Sequence, residues 1–164
     1  MKRVVLIIIC IFLLIIDTTI LPYYAYGNIF PSLLFTFSIG FSIINGKNEA
    51  VAIGVLSGFL QDLFFGHGFG VNMLINMLLC YGAARIGEGI YKDNRIIPVI
   101  TCLIMSLLKV IGVIIVLLIL DVSIRMVDGF ISAVLNAVVM ILMYKLILKY
   151  SEKYFPRDAW RFRW

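Results

Sequence analysis

From Val4 to Ile16 every residue is apolar, and runs of the same kind recur along the chain. A soluble helix keeps a polar face, so an uninterrupted run of this length belongs in the interior of a bilayer. Transmembrane β-strands are excluded, because their segments alternate apolar and polar residues. The spans are therefore helices, which satisfy their own backbone groups in lipid. Composition agrees: 63% of the residues are hydrophobic and 14% charged, against about 45–50% and about 25% in soluble domains. At ~20 residues per crossing, 164 residues hold at most about six crossings and no sizeable soluble domain.

Apolar runs read against charges and Pro/Gly breaks predict spans over 4–21, 29–44, 50–65, 69–84, 96–120 and 127–148. Residues 1–149 then form one all-α bundle of six transmembrane helices, followed by a tail at 150–164. The third and fourth spans are short and meet at Gly66-His67-Gly68-Phe69-Gly70. A thin spanning pair or a re-entrant hairpin both fit, and two spans are the preferred reading. Lys2-Arg3, an apolar run and Ala25-Tyr26-Gly27 loosely imitate a signal peptide. The run to Leu21 exceeds the ~7–15 residues of a signal core, so it reads as a retained first helix. Lys2, Arg3, Lys47, Arg85, Lys92, Arg95, Lys145, Lys149, Lys153, Arg157, Arg161 and Arg163 fall on one side; Arg125 falls on the other and Lys109 within a span. By the positive-inside rule both termini are cytoplasmic.

Ionisable and amide groups inside spans are costly, so each marks a candidate site. These are Asp17, Gln61, Asp62, Asn72, Asn76, Lys109 and Asn136. At ~1.5 Å per residue Asp17, Asp62 and Lys109 all lie roughly 18–20 Å from the cytoplasmic ends of their helices. Lys109 is expected to neutralise Asp62 or Asp17, since an unpaired charge there costs far more than a pair. Asn72 and Asn76, four apart, share a helix face. The set is either an interhelical lock or the wall of a ligand pocket.

Ala50, Gly54 and Gly58 form a small-xxx-small ridge on the third span, and Gly129, Ala133 and Ala137 another on the sixth. Such ridges admit close helix contacts, within the bundle or between chains. The tail interleaves Lys153, Arg157, Arg161 and Arg163 with Tyr154, Phe155, Trp160, Phe162 and Trp164. That pattern suits anionic lipid headgroups at the membrane surface, or docking of a cytoplasmic partner. It does not argue for nucleic acid. Cys10, Cys80 and Cys102 lie in apolar runs without a Cys-x-x-Cys spacing, and His67 is the sole histidine. No metal set, cofactor cradle or nucleophile with its base is present, so no enzymatic activity is expected.

The string Gly54-x3-Gly58-x3-Asp62-Leu63-x2-Gly66-x3-Gly70, in a chain of this length and span count, resembles MreD, the bacterial rod shape-determining membrane protein family. Pro31 opening the second span, a basic loop after the fourth and Asn136 inside the sixth extend the resemblance along the chain. The resemblance implies a scaffold in the cell membrane that binds an MreC-like single-span protein. Through it the scaffold would link an MreB-like filament to peptidoglycan synthases such as RodA and its transpeptidase. It further implies that the glycines permit close packing and a tight outer turn braced by Asp62. The family is also similar to the six-helix substrate-binding subunits of energy-coupling-factor vitamin transporters. The alternative function is therefore such a subunit, with Asp17, Asp62, Asn72, Asn76 and Lys109 around a small ligand.

Overall fold

The computed structural model describes residues 2–24, 29–64, 69–88, 96–119 and 126–154. Among them the chain forms six helices and no sheet. Helix α1 runs Lys2–Ile15, passes through a π-helical turn at Ile16–Ile20 and continues over Leu21–Tyr24. Helices α2 (Leu33–Asn45), α3 (Lys47–Phe64), α4 (Val71–Gly87), α5 (Ile96–Ile119) and α6 (Met126–Tyr154) follow.

Helix α2 is the axis of the bundle. It is apolar all round, so no side of it profits from facing outward, and every residue from Leu34 to Ile44 is buried. It packs against α3, α4, α5 and α6 and touches α1. Its serines do not disturb that interior, because they bond to the carbonyls one turn back: Ser38 Oγ donates to Leu34 O at 2.8 Å and Ser42 Oγ to Ser38 O at 2.6 Å.

A single residue, Gly46 at φ 87°, turns α2 into α3. Helix α3 then runs antiparallel to α4 in the closest pairing of the fold. A Cβ built on Gly54 would stand 2.7 Å from Met77 Cα and 2.9 Å from Asn76 O. One on Gly58 would strike the backbone of Met73 and Asn72. Ala50 is fully buried on the same stripe. This ridge therefore faces α4 inside the bundle. On α6, Gly129 lies against Val110 of α5, while Ala133 and Ala137 are buried.

Three stretches are long and apolar enough to cross a membrane: Arg3–Tyr23, Ile96–Val116 and Val127–Lys153. They carry much of the apolar outer surface, with Ile8 and Phe12 on α1, Ile115 on α5 and Leu142 and Leu146 on α6 exposed, and α3 and α4 add Phe64, Leu74 and Leu78. Helices α2 and α4 are apolar but shorter. The observed ends differ from the expected spans where hydropathy is a poor guide to hydrogen bonding. Helix α2 starts at Leu33 rather than residue 29, after its cap at Ser32; α3 starts at Lys47 rather than residue 50; α4 starts at Val71 rather than residue 69; α6 continues beyond residue 148 to Tyr154. The first residues of the expected tail are thus helical, and residues 155–164, like residues 25–28 and 65–68, lie outside the described residues.

Because the obstruction at Gly58 is backbone, Gly58→Ala should cost about 2–3 kcal/mol. Leu63→Ala, on the exposed side of α3, should stay within about 0.5 kcal/mol of the parent. Unfolding in mixed micelles by sodium dodecyl sulfate titration reads both. Equal midpoints for the Gly58 variant and the parent would mean that α3 and α4 are not in backbone contact.

Candidate functional site

The polar residues within the bundle converge on the start of α2. The extra residue of the π-turn in α1 accompanies Thr18, whose Oγ1 donates to Leu14 O at 2.9 Å and to Ile15 O at 3.3 Å. In that turn Asp17 points inward and is 1% exposed. Its Oδ1 accepts from Leu33 N at 2.8 Å; its Oδ2 accepts from Leu34 N at 3.0 Å and from Ser32 Oγ at 2.9 Å. A carboxylate from one helix thus satisfies the first amide groups of another. Ser32 Oγ also accepts from Phe35 N, as an N-cap does.

Asp62 does the same for α4. Its Oδ2 accepts from Gly70 N at 2.9 Å and Met73 N at 3.0 Å, and its Oδ1 from Asn72 N at 2.9 Å. Gly70 holds φ 98°, a left-handed conformation that bends the chain back under the carboxylate. In lipid no water replaces these donors, and a helix N-terminus attracts negative charge.

Ser32 and Gln61 tie the two caps together. Ser32 N donates to Asn136 Oδ1 at 2.8 Å, and Gln61 Nε2 donates to Ser32 Oγ at 3.0 Å. Gln61 Oε1 accepts from Asn76 Nδ2 at 2.9 Å and from Lys109 Nζ at 2.6 Å. Asn76 Nδ2 also reaches Ser57 Oγ at 3.4 Å, and Asn136 Nδ2 donates to Ser106 Oγ at 3.2 Å. Side chains from all six helices or their caps enter one network.

The expected direct pairing of Lys109 with Asp62 or Asp17 is not formed. Among the described residues the salt bridges are Arg3–Glu49 at 3.7 Å and Lys47–Glu88 at 2.8 Å, both away from this network. Each carboxylate already has three donors, so the lysine is not needed to satisfy its lone pairs. Lys109 instead binds the Gln61 amide and lies 4.3 Å above the Phe35 ring, a cation–π contact strengthened by the dry surroundings.

Of the candidate residues, Asp17, Gln61, Asp62, Asn76, Lys109 and Asn136 contribute side chains to the network. Asn72 contributes its backbone N–H to Asp62 and its carbonyl to the contact with Gly58. The ridge residues Gly54 and Gly58 serve the adjoining helix contact. Gly66 lies outside the described residues. Reasoning from charged and amide residues missed Ser32, Ser57 and Ser106. Ser32 had a legible signal: a serine just before an apolar run is an N-terminus signature.

Chemically this is a closed arrangement. No group of three or more His, Cys, Asp or Glu suited to a metal occurs among the described residues, and Cys10, Cys80 and Cys102 are free and buried. The fold and network together define a helical membrane bundle held by internal polar locks. The model of the family described as rod shape-determining protein MreD matches residues 1–154. The chain belongs to the MreD family, and its role is in rod shape determination. No curated protein and no solved structure matches it.

Asp62→Ala exposes three amide groups of α4 to an apolar surround and should cost about 2–4 kcal/mol. Lys109→Met leaves Gln61 Oε1 bonded to Asn76 and should cost about 1 kcal/mol. The same detergent titration ranks them. A Lys109 variant at least as damaged as the Asp62 variant would place the lysine, not the helix caps, at the centre of the lock.

Proposed function

We propose that this chain is a non-enzymatic membrane scaffold of the cell-elongation machinery. It crosses the bacterial cell membrane six times with both termini cytoplasmic, and it holds an MreC-like single-span protein. Through that protein it acts on an MreB-like filament and on peptidoglycan synthesis by RodA and its transpeptidase. The observation that carries the reading is the family match over residues 1–154. The consumption of the buried carboxylates by helix caps supports it, because groups already saturated internally serve packing rather than turnover. The basic asymmetry of the sequence supports the orientation.

In this reading α2 forms the rigid interior, in the manner of the six-helix transporter subunits, while the helices around it present apolar faces to lipid and to partner helices. A tagged chain purified in mild detergent from its native membrane should bring down an MreC-like single-span protein and wall synthases, identified by mass spectrometry. Recovery of an ATPase module in their place would make the chain a transporter subunit and would overturn the scaffold reading.

A further inference from the structure

Helix α6 carries a feature that neither the lock nor the scaffold role uses. Its buried face is formed by Ala133, Asn136, Met140, Tyr144, Ile147 and Ser151. The opposite face is exposed and apolar from Val127 through Ile131, Val134 and Val138 to Ile141. At roughly 100° per residue, Lys145 falls on the azimuth of Val127 and Val138, and Lys149 on that of Ile131. Both lysines are exposed, as is Lys153 one turn further on. The lysine line therefore continues the ridge that meets acyl chains, and does not turn toward the bundle or toward a neighbouring helix.

Depth gives the line its meaning. At ~1.5 Å per residue Lys145 stands about 27 Å along the axis from Val127, close to the ~30 Å thickness of the hydrocarbon core. Lys149 is about 6 Å beyond it, at headgroup level. Glu152, exposed beside the line, sets one negative charge against the two positive charges of Lys145 and Lys149 and leaves the stripe cationic. The four-carbon lysine stems pack on apolar surface while their ammonium groups reach the phosphates.

We propose that Lys145 and Lys149 form a binding stripe for anionic phospholipid headgroups in the leaflet that surrounds this end of α6. The occupant is a lipid because the stripe lies on the acyl-chain face, where a phosphate arrives with its own tails already seated against Val138 and Ile141. This stripe lies on α6 itself, apart from residues 155–164, and does not depend on the scaffold assignment.

The full chain in nanodiscs of phosphatidylcholine mixed with phosphatidylglycerol tests it, with bound lipid read by native mass spectrometry. The parent should retain phosphatidylglycerol in preference to phosphatidylcholine. At roughly 1 kcal/mol per basic residue near the surface, K145Q/K149Q should lower that preference roughly ten- to thirty-fold. K145R/K149R should keep it, as should R3Q, which removes a basic residue elsewhere. Melting of each variant in pure phosphatidylcholine discs should match the parent, since none of these side chains is buried. Undiminished preference in K145Q/K149Q, or no preference in the parent, overturns the proposal. So does an acidic protein that co-purifies with the parent and is lost in K145Q/K149Q while lipid retention is unchanged.

Discussion

A helix that begins against an apolar interior has amide donors with neither carbonyl nor water to receive them, and the bundle meets that demand for α2 and α4 with carboxylates. Each unsatisfied backbone group in hydrocarbon costs several kcal/mol. Asp17 and Asp62 meet it with side-chain oxygens brought from helices adjacent in sequence, α1 and α3. Once these carboxylates are in place, the positions of α1 against α2 and of α3 against α4 follow, because three directional bonds at each cap leave little freedom to slide. The Gln61 amide then joins one cap to the other through Ser32 and spreads the constraint to Lys109 on α5 and Asn136 on α6.

Two kinds of force divide the work. Lipid tails are as apolar as leucine, so helix association in a bilayer draws on close packing and polar bonds rather than on burial of apolar area. Along the length of α3 and α4 packing dominates: the glycines let main chain touch main chain, and dispersion accumulates over many atom pairs. At the end of that hairpin, where the backbone turns back, polar bonds take over at Asp62 and Gly70. The ridge and the cap are therefore one device, since Gly58 lies one helical turn before Asp62 and both contact the first turn of α4.

How far the sequence announces this depends on which force is involved. The apolar runs locate all six helices, since a run too apolar for water is legible without partners. The family string locates Gly54, Gly58 and Asp62 together. What the residues do to one another is less legible. Charge complementarity pairs Lys109 with an aspartate, but complementarity counts charges and overlooks the backbone, whose amide groups are always present and never appear as letters. Ser32 is legible only as the cap before an apolar run; its function as the meeting point of Asp17, Gln61 and Asn136 exists only once four helices surround it. The π-turn at Ile16–Ile20 likewise has no signal in the apolar run, and the buried Asp17 within it is bonded to the next helix.

The distribution of the polar bonds also bears on how such a bundle takes part in an assembly. Bonds that cross between helices cluster at the Ser32–Gln61 level, whereas the exposed faces of α1, α5 and α6 carry apolar side chains such as Phe12, Ile115 and Leu142. A partner helix docking on one of those faces meets mainly apolar side chains, so its selectivity has to come largely from surface shape and from contacts outside the hydrocarbon. Shape is reliable only if the surface is rigid, and the polar bonds supply that rigidity: Asp17 ties α1 to the start of α2, Lys109 ties α5 to Gln61 of α3 and to the Phe35 ring of α2, and Asn136 and Ser151 tie α6 to the two ends of α2. Altering one of those residues acts on the helix that carries it, and through that helix on the face it presents.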